Sequence, residues 1–224
     1  MTLQRHLVIF ARAPQRGAVK RRLAADIGDS ATISFYNHTL QTTLHRLAPD
    51  RRWRTWLSVT PDSAAGGHLA GLFEKPLSCV SLVSKIAQKG GNLGIRMRRP
   101  MSQPGRPGAL PPGPVVLIGS DIPDIAPDHV ARAFAALGGH DFVFGPAADG
   151  GFWLVGARRR PALPADLFDN VRWSTAHALA DTLAGLPGRS RVARIDTLED
   201  IDDGAAWRRW RARRCRPGPS RYDA

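Results

Sequence analysis

Two short stretches carry side chains suited to holding phosphate and a cation. The first is Ala11-Arg12-Ala13-Pro14-Gln15-Arg16-Gly17-Ala18-Val19-Lys20-Arg21-Arg22-Leu23. Here Arg12, Arg16, Lys20, Arg21 and Arg22 gather around the expected start of a helix, whose free N–H groups favour phosphate. The second is Gly119-Ser120-Asp121-Ile122-Pro123. It follows the apolar run 114–118, so Asp121 stands at a strand end, where a carboxylate can take a hard divalent cation beside phosphate oxygens. Each stretch also has a plainer reading, as a basic surface helix after a turn and as a turn aspartate. The first stretch is neither a GxxxxGK[ST] loop nor a GxGxxG fingerprint. For Asp121 the plainer role is already filled, because Asp128 after Pro127 fits a helix cap better.

Three further groups stay open on residue type alone. Asp149-Gly150-Gly151, between two strand candidates, also reads as a hairpin turn. Trp173-Ser174-Thr175 also reads as a buried aromatic before a helix cap. Asp196, Glu199, Asp200, Asp202 and Asp203 also read as a solvated acidic face.

Periodicity supplies the elements that would position these groups. Short apolar runs bounded by turn residues predict strands over 6–11, 53–59, 80–83, 114–118, 141–145, 151–156 and 191–195. Helices are expected over 18–27, from Ser30 onward, and over 128–137, 174–183 and 200–213. In the second of these, Ile33, Tyr36, Leu40, Leu44 and Leu47 recur at three- and four-residue steps, as a core-packing stripe does. Strands alternating with helices imply an α/β fold, a mostly parallel sheet in three layers, with ligands at the carboxyl ends of the strands. Residues 99–114 hold six prolines and three glycines, which predicts a surface loop. One domain is expected over 1–213, with a fraying basic tail over 214–224.

Composition narrows the classes. The chain has 224 residues, and no run approaches the roughly 20 apolar residues of a membrane span. With no cleavable signal pattern at the N-terminus, a cytoplasmic location is expected. Cys79 and Cys215 lie far apart without CxxC spacing, and the seven histidines show no HExxH pattern, so neither a disulfide framework nor a zinc site is expected. The net charge of +13 would attract polyanions. Only four of the 32 basic residues are lysine, however, an Arg, Ala, Gly and Pro bias that a GC-rich genome produces by itself. Nucleic acid is not an expected partner.

Taken in order, the motifs resemble a bacterial glycosyltransferase-A-like family linked by name to arsenosugar biosynthesis. The matching pieces are Gly17-Ala18-Val19-Lys20-Arg21-Arg22-Leu23, Gly91-Asn92-Leu93-Gly94-Ile95-Arg96-Met97 and Gly119-Ser120-Asp121-Ile122-Pro123. Gly145 through Leu154, Trp173-Ser174-Thr175 and Leu198-Glu199-Asp200-Ile201-Asp202 complete the series. That family is similar in fold to molybdenum-cofactor nucleotidyltransferases and phospholactate guanylyltransferase.

The resemblance implies the nucleotide-diphospho-sugar transferase fold and a catalytic pair, Asp121 and Lys20. It implies nucleotide contacts from Ala11, Arg12, Gly17, Lys20, Arg22, Gly119 and Ser120, and substrate contacts from Asp149, Gly150, Gly151 and Trp173. Mg2+ or Mn2+ would be held by Asp121 with Asp200 or Asp202. The implied partners are a nucleotide sugar or nucleoside triphosphate and a small-molecule acceptor. The implied activity is metal-dependent sugar transfer, with nucleotidyl transfer to a phosphorylated small molecule as the alternative. Arg21 stands where the family has threonine, and Asn92 and Ile95 stand where it has aspartate and glutamate. Those departures raise a third reading, a nucleotide-binding protein without catalysis.

Overall fold

His6–Arg12 (β1) is apolar on both faces of its pleat and is buried along nearly its whole length, as a strand inside a covered parallel sheet must be. The computed structural model describes residues 3–66, 80–160 and 162–214. After β1 the chain forms Arg21–Ile27 (α1), Asp29–Leu47 (α2), Arg54–Thr60 (β2), Val83–Ala87 (β3), Leu93–Met101 (α3) and Val115–Gly119 (β4). Pro127–Ala136 (α4), Phe142–Pro146 (β5), Phe152–Ala157 (β6), Ala178–Ala184 (α5), Val192–Arg194 (β7) and Gly204–Arg214 (α6) follow.

The strands form one seven-stranded sheet in the order β3-β2-β1-β4-β6-β5-β7. β1 pairs in parallel with β2 and β4, and β6 alone runs against its neighbours β4 and β5. The expected α/β architecture with a mostly parallel sheet is therefore observed. The order reverses at β1, whose two neighbours are β2 on one side and β4 on the other. This switch point opens a crevice at the carboxyl ends of β1 and β4.

One face of the sheet packs Leu40, Leu44 and Leu47 of α2 and Val130 and Phe134 of α4 against Leu7, Ile9 and Leu154. The other packs Met97 and Met101 of α3 and Phe168 against Val8, Leu117 and Phe144. Each such fully buried aliphatic side chain contributes roughly 1.5–3 kcal/mol. A smaller cluster of Leu23, Phe35, Ile201, Ala206 and Trp210 ties α1 and α2 to α6. No helix among the described residues is long and apolar enough to cross a membrane.

Three expectations need correction, besides the helices expected from 174 and 200, which begin at Ala178 and Gly204. Residues 80–82 form a 3-10 turn, and the third strand begins only at Val83. The first helix begins at Arg21, because Lys20 takes a left-handed backbone conformation (φ 49°, ψ 50°) that no helix interior contains.

The third concerns 99–114, where 102–114 is the expected loop with 104–108 exposed, but 99–101 belong to a helix and the loop is pinned to the core. The helix α3 runs through Pro100 to Met101, and Leu110 is buried in the core. The buried guanidinium of Arg159 donates to the carbonyls of Ser102 (2.6 Å), Leu110 (2.9 Å), Pro111 (2.8 Å) and Gly113 (3.1 Å). Prolines deprive this segment of donors, and one arginine from the end of β6 satisfies the carbonyls that remain. The expected thiols Cys79 and Cys215 and the tail beyond Arg214 lie outside the described residues.

Candidate functional site

At the switch point, the ends of β1 and β4 are fastened by one phenol. The Tyr36 hydroxyl of α2 donates to Arg12 O (2.9 Å) and accepts from Arg12 N (3.0 Å). It also lies 3.3 Å from Ser120 Oγ, which donates to Asp121 Oδ1 at 3.1 Å. Burial and the nearby Asp121 charge push the Tyr36 phenol well above its usual range, so it stays protonated. Tyr36 belongs to the apolar stripe of α2, and periodicity alone gave it only a packing role. Its hydroxyl fixes both loops, the one that carries the basic residues and the one that carries the carboxylate.

The left-handed turn at Lys20 directs its side chain back to β4. Its ammonium, only 3% exposed, contacts Asp121 Oδ2 at 2.9 Å and Asp202 Oδ1 at 3.4 Å. Arg22 Nη1 reaches the other Asp202 oxygen at 3.4 Å. Burial works to lower the Lys20 pKa, but Asp121, Asp202 and Asp200 outweigh it and the net shift is upward. Residues 182 positions apart thus form one charged centre.

The acidic run before α6 divides by partner. Asp196 pairs with Arg132, Glu199 with Arg209 and Arg213, and Asp203 accepts from Ala206 N in the first turn of α6. Asp200 and Asp202 instead line the cleft. Asp200 is raised to about 6, first by burial and then by Asp149, Asp202 and Asp121, with Lys20 opposing. A carboxyl held near neutrality among other carboxylates is an environment that favours an added cation.

The cleft encloses about 930 Å³ and extends from the β1 loop to the segment before α5. Ala11, Arg12, Gly17, Arg22, Gly119 and Ser120 line it with the charged centre, and so do Asp149, Gly151 and Trp173. Gly150 does not. It has φ +88°, and a Cβ there would lie 2.3 Å from Ala176 O, so its role is to let the turn pass close to that backbone. Asp149 Oδ1 accepts from Gly151 N at 2.9 Å, which holds the turn open toward the cleft.

The far wall contains residues to which the motifs gave no role, among them Gly94 and Arg96 of the stretch Gly91 to Met97 and, outside any motif, Gln88. Gly94 lets α3 approach the segment carrying Phe168 and Trp173, where a Cβ would stand 2.8 Å from Phe168 and 3.3 Å from Trp173. Phe152 and Trp173 meet edge to face, with ring centres 6.1 Å apart. Beside them Arg96 Nη1 donates to Gln88 Oε1 at 2.9 Å. Lone polar residues of this kind carry no spacing signal. Asn92 and Ile95, the two departures from the family pattern in this stretch, do not line the cleft. Asn92 Oδ1 caps α3 by accepting from Ile95 N at 2.9 Å, a role the family's aspartate would fill equally. Nor does Asp128 cap α4, since Ala126 N donates to His129 Nδ1 instead.

The chemistry of the donor set fits a hard divalent ion: Asp121, Asp200 and Asp202 offer only oxygen ligands at one end of the cleft. Their geometry is that of the lysine-bridged state. Among the described residues no three His, Cys, Asp or Glu side chains converge as a closed ligand set. A metal would enter at the Asp121 and Asp202 oxygens that Lys20 now bridges.

Solved structures share this architecture. A Desulfovibrio desulfuricans protein provisionally described as a nucleotide-diphospho-sugar transferase is 29% identical, with TM-score 0.73, over 91% of this chain and 84% of that one. The 4-diphosphocytidyl-2C-methyl-D-erythritol synthase of Anaerococcus prevotii is 10% identical (TM-score 0.55), over 95% and 99% of the two chains. Glucosyl-3-phosphoglycerate synthase of Mycobacterium tuberculosis, solved with Mn2+, UDP and glucosyl-3-phosphoglycerate, is 13% identical (TM-score 0.50), over 88% and 71%. The last two likenesses show the fold alone. No curated protein matches the chain. A family model does match, over residues 43–175, and by it the chain belongs to DUF2064, described as uncharacterized protein conserved in bacteria.

Proposed function

We propose that the chain, acting through one domain over 1–213, is a metal-dependent transferase. It would use a nucleotide-activated sugar and pass the sugar to a small-molecule acceptor. The observation that carries this reading is the Lys20, Asp121 and Asp202 centre at the sheet's switch point, where this fold exposes strand ends to ligands. Arg12, Arg21 and Arg22 line the same end and would bind diphosphate oxygens, each charge-assisted contact contributing roughly 1.5–3 kcal/mol. Lys20 would leave the carboxylates for the phosphates as a cation arrives, so the buried ammonium keeps a counter-charge throughout. Mg2+ or Mn2+ held by Asp121 with Asp200 or Asp202 would supply Lewis-acid stabilisation of the departing diphosphate. Trp173 and the Asp149 turn would face the sugar and its acceptor.

A second reading, nucleotidyl transfer to a phosphorylated small molecule, is favoured by the density of cations at the β1 loop. Arg12, Lys20, Arg21 and Arg22 suit a triphosphate at least as well. The non-catalytic reading loses its main support, because Asn92 and Ile95 stand off the cleft. The arsenosugar link is a proposal about the acceptor, decided by the products of turnover.

The test is calorimetric titration with nucleoside triphosphates and nucleotide sugars, with and without Mn2+, on the wild type and Asp121→Ala, followed by turnover with the ligands that bind. Metal-dependent binding lost in the variant is expected, with activity reduced by orders of magnitude. Release of nucleoside diphosphate marks sugar transfer, and release of pyrophosphate marks nucleotidyl transfer. Full turnover by Asp121→Ala would overturn the assignment.

A further inference from the structure

The cleft has two electrostatic halves. Around Lys20 the neighbours are carboxylates. Around Arg96 they are Arg12 and Arg99, and among the described residues none of these three arginines forms an ion pair. Burial, reinforced by the Arg12 and Arg99 charges, lowers the Arg96 pKa.

Arg96 is nevertheless held in place. Its Nη1 donates to Gln88 Oε1, while its Nε is buried with no partner. Gln88, only 3% exposed, is itself immobilised. Its Nε2 donates to Ala11 O (2.9 Å) and Ser58 O (3.0 Å), on β1 and β2, and its backbone carbonyl accepts from Arg99 Nη1 (2.6 Å). A rigid neutral amide orients the guanidinium without neutralising it. If packing were the only requirement, an apolar side chain of similar volume would serve without setting a partly buried guanidinium beside two other cations. An anion is the missing term.

We propose that Arg96 forms a second anion subsite, taking a phosphate or carboxylate group of a substrate, apart from the Lys20 carboxylate centre, with Arg12 a neighbouring cation that this subsite shares with the diphosphate end. Phe152 and Trp173 line the same cleft near α3, so the body of that substrate has an apolar or ring face to set against them. The subsite stands on its own. Only the statement that its ligand is the acceptor, an anionic small molecule, rests on the proposed transferase reading.

The experiment is thermal-shift and calorimetric titration at constant ionic strength with inorganic phosphate and, separately, with acetate. The proteins are wild type, Arg96→Gln, Arg96→Lys and Asp121→Asn. At least one anion is expected to bind wild type and Asp121→Asn alike, with affinity at least about tenfold weaker in Arg96→Gln and partly recovered in Arg96→Lys. A response to phosphate alone, or to acetate also, identifies the group. Arg96→Gln without anion is expected to melt no lower than wild type, since it removes an uncompensated charge. Equal anion binding by wild type and Arg96→Gln, or no response by wild type to either anion, overturns the subsite. Binding that strengthens in Asp121→Asn and is unchanged in Arg96→Gln also overturns it, placing the anion at the Lys20 ammonium freed of one carboxylate charge and leaving the transferase reading intact. Conversely, failure of every nucleotide to bind, with Arg96-dependent anion binding retained, refutes the transferase reading alone.

Discussion

Replacing Lys20 by Met tests the charged centre most directly, because it removes one cation and keeps nearly the same volume. Lys20 Nζ stands 2.9 Å from Asp121 and 3.4 Å from Asp202, and the ammonium is almost fully buried. Leaving a buried charge without its partner costs about 3–5 kcal/mol. The two carboxylates, at 37% and 45% exposure, recover part of that by hydration, and Arg22 still neutralises one Asp202 oxygen. The expected loss in urea unfolding at pH 7 is therefore about 2 kcal/mol. The wild-type advantage should persist up to pH 10 and fade only above it, because a raised lysine pKa stabilises the fold until the folded-state value is passed. A divalent ion can take the vacated place, and saturation at about a hundred times Kd would return about 2.7 kcal/mol. Mn2+ should thus stabilise Lys20→Met more than wild type. Equal stability of the two proteins without metal, or an equal Mn2+ response, would refute the lysine-bridged description.

Asp200→Asn should show a pH trend of the same sense at lower pH, with the variant as the more stable protein. A carboxyl raised to about 6 is favoured in its neutral form, so its contribution is present at pH 4 and lost as pH rises through 6. A two-unit shift corresponds to about 3 kcal/mol, reduced to about 1–2 kcal/mol by partial solvent contact. Asn should therefore stabilise the metal-free protein by that amount at pH 8 and by nothing at pH 4, and equal urea midpoint differences at the two pH values would sink the assignment. Arg159→Met orphans four carbonyls of the Pro/Gly segment and should cost about 3 kcal/mol, with faster amide exchange across 102–110. Exchange there at the wild-type rate would show that the segment holds without its arginine.

The sheet was legible because its five inner strands are buried on both faces and read as short apolar runs between turn residues. Where the reading slipped, a distant residue decided the local structure. Residues 99–114 look like a loop by proline content, and the side chain that immobilises them, Arg159, comes from a later strand end. Pro100 lies in the last turn of α3, where it forfeits its own bond to the Arg96 carbonyl, and the helix ends one residue later at Met101. The position of Lys20 as the residue before α1 is likewise a tertiary result, since its left-handed backbone is maintained by a contact with Asp121 that no window of sequence contains.

The site was legible only where a residue's place in an element implied its exposure. Asp121 ends an apolar strand, and the basic loop follows another, so both had to open on the same edge of the sheet. The acidic run offered no such constraint. Asp200 and Asp202 face the cleft, whereas Asp196 and Glu199 face surface arginines. These acids sit in the irregular stretch between β7 and α6, where neither a two-residue nor a 3.6-residue period assigns faces. Ile201, fully buried between the two cleft aspartates, is the one local cue. An apolar anchor directed into the core turns its two flanking side chains along the same wall. For Gln88 no cue exists, and Arg96, though it stands in the stretch Gly91 to Met97, has a role that depends on missing counter-charges. An uncompensated guanidinium can be recognised only when every neighbouring element is in place, and for that reason the proposed anion subsite emerges from the fold and not from the motif alone.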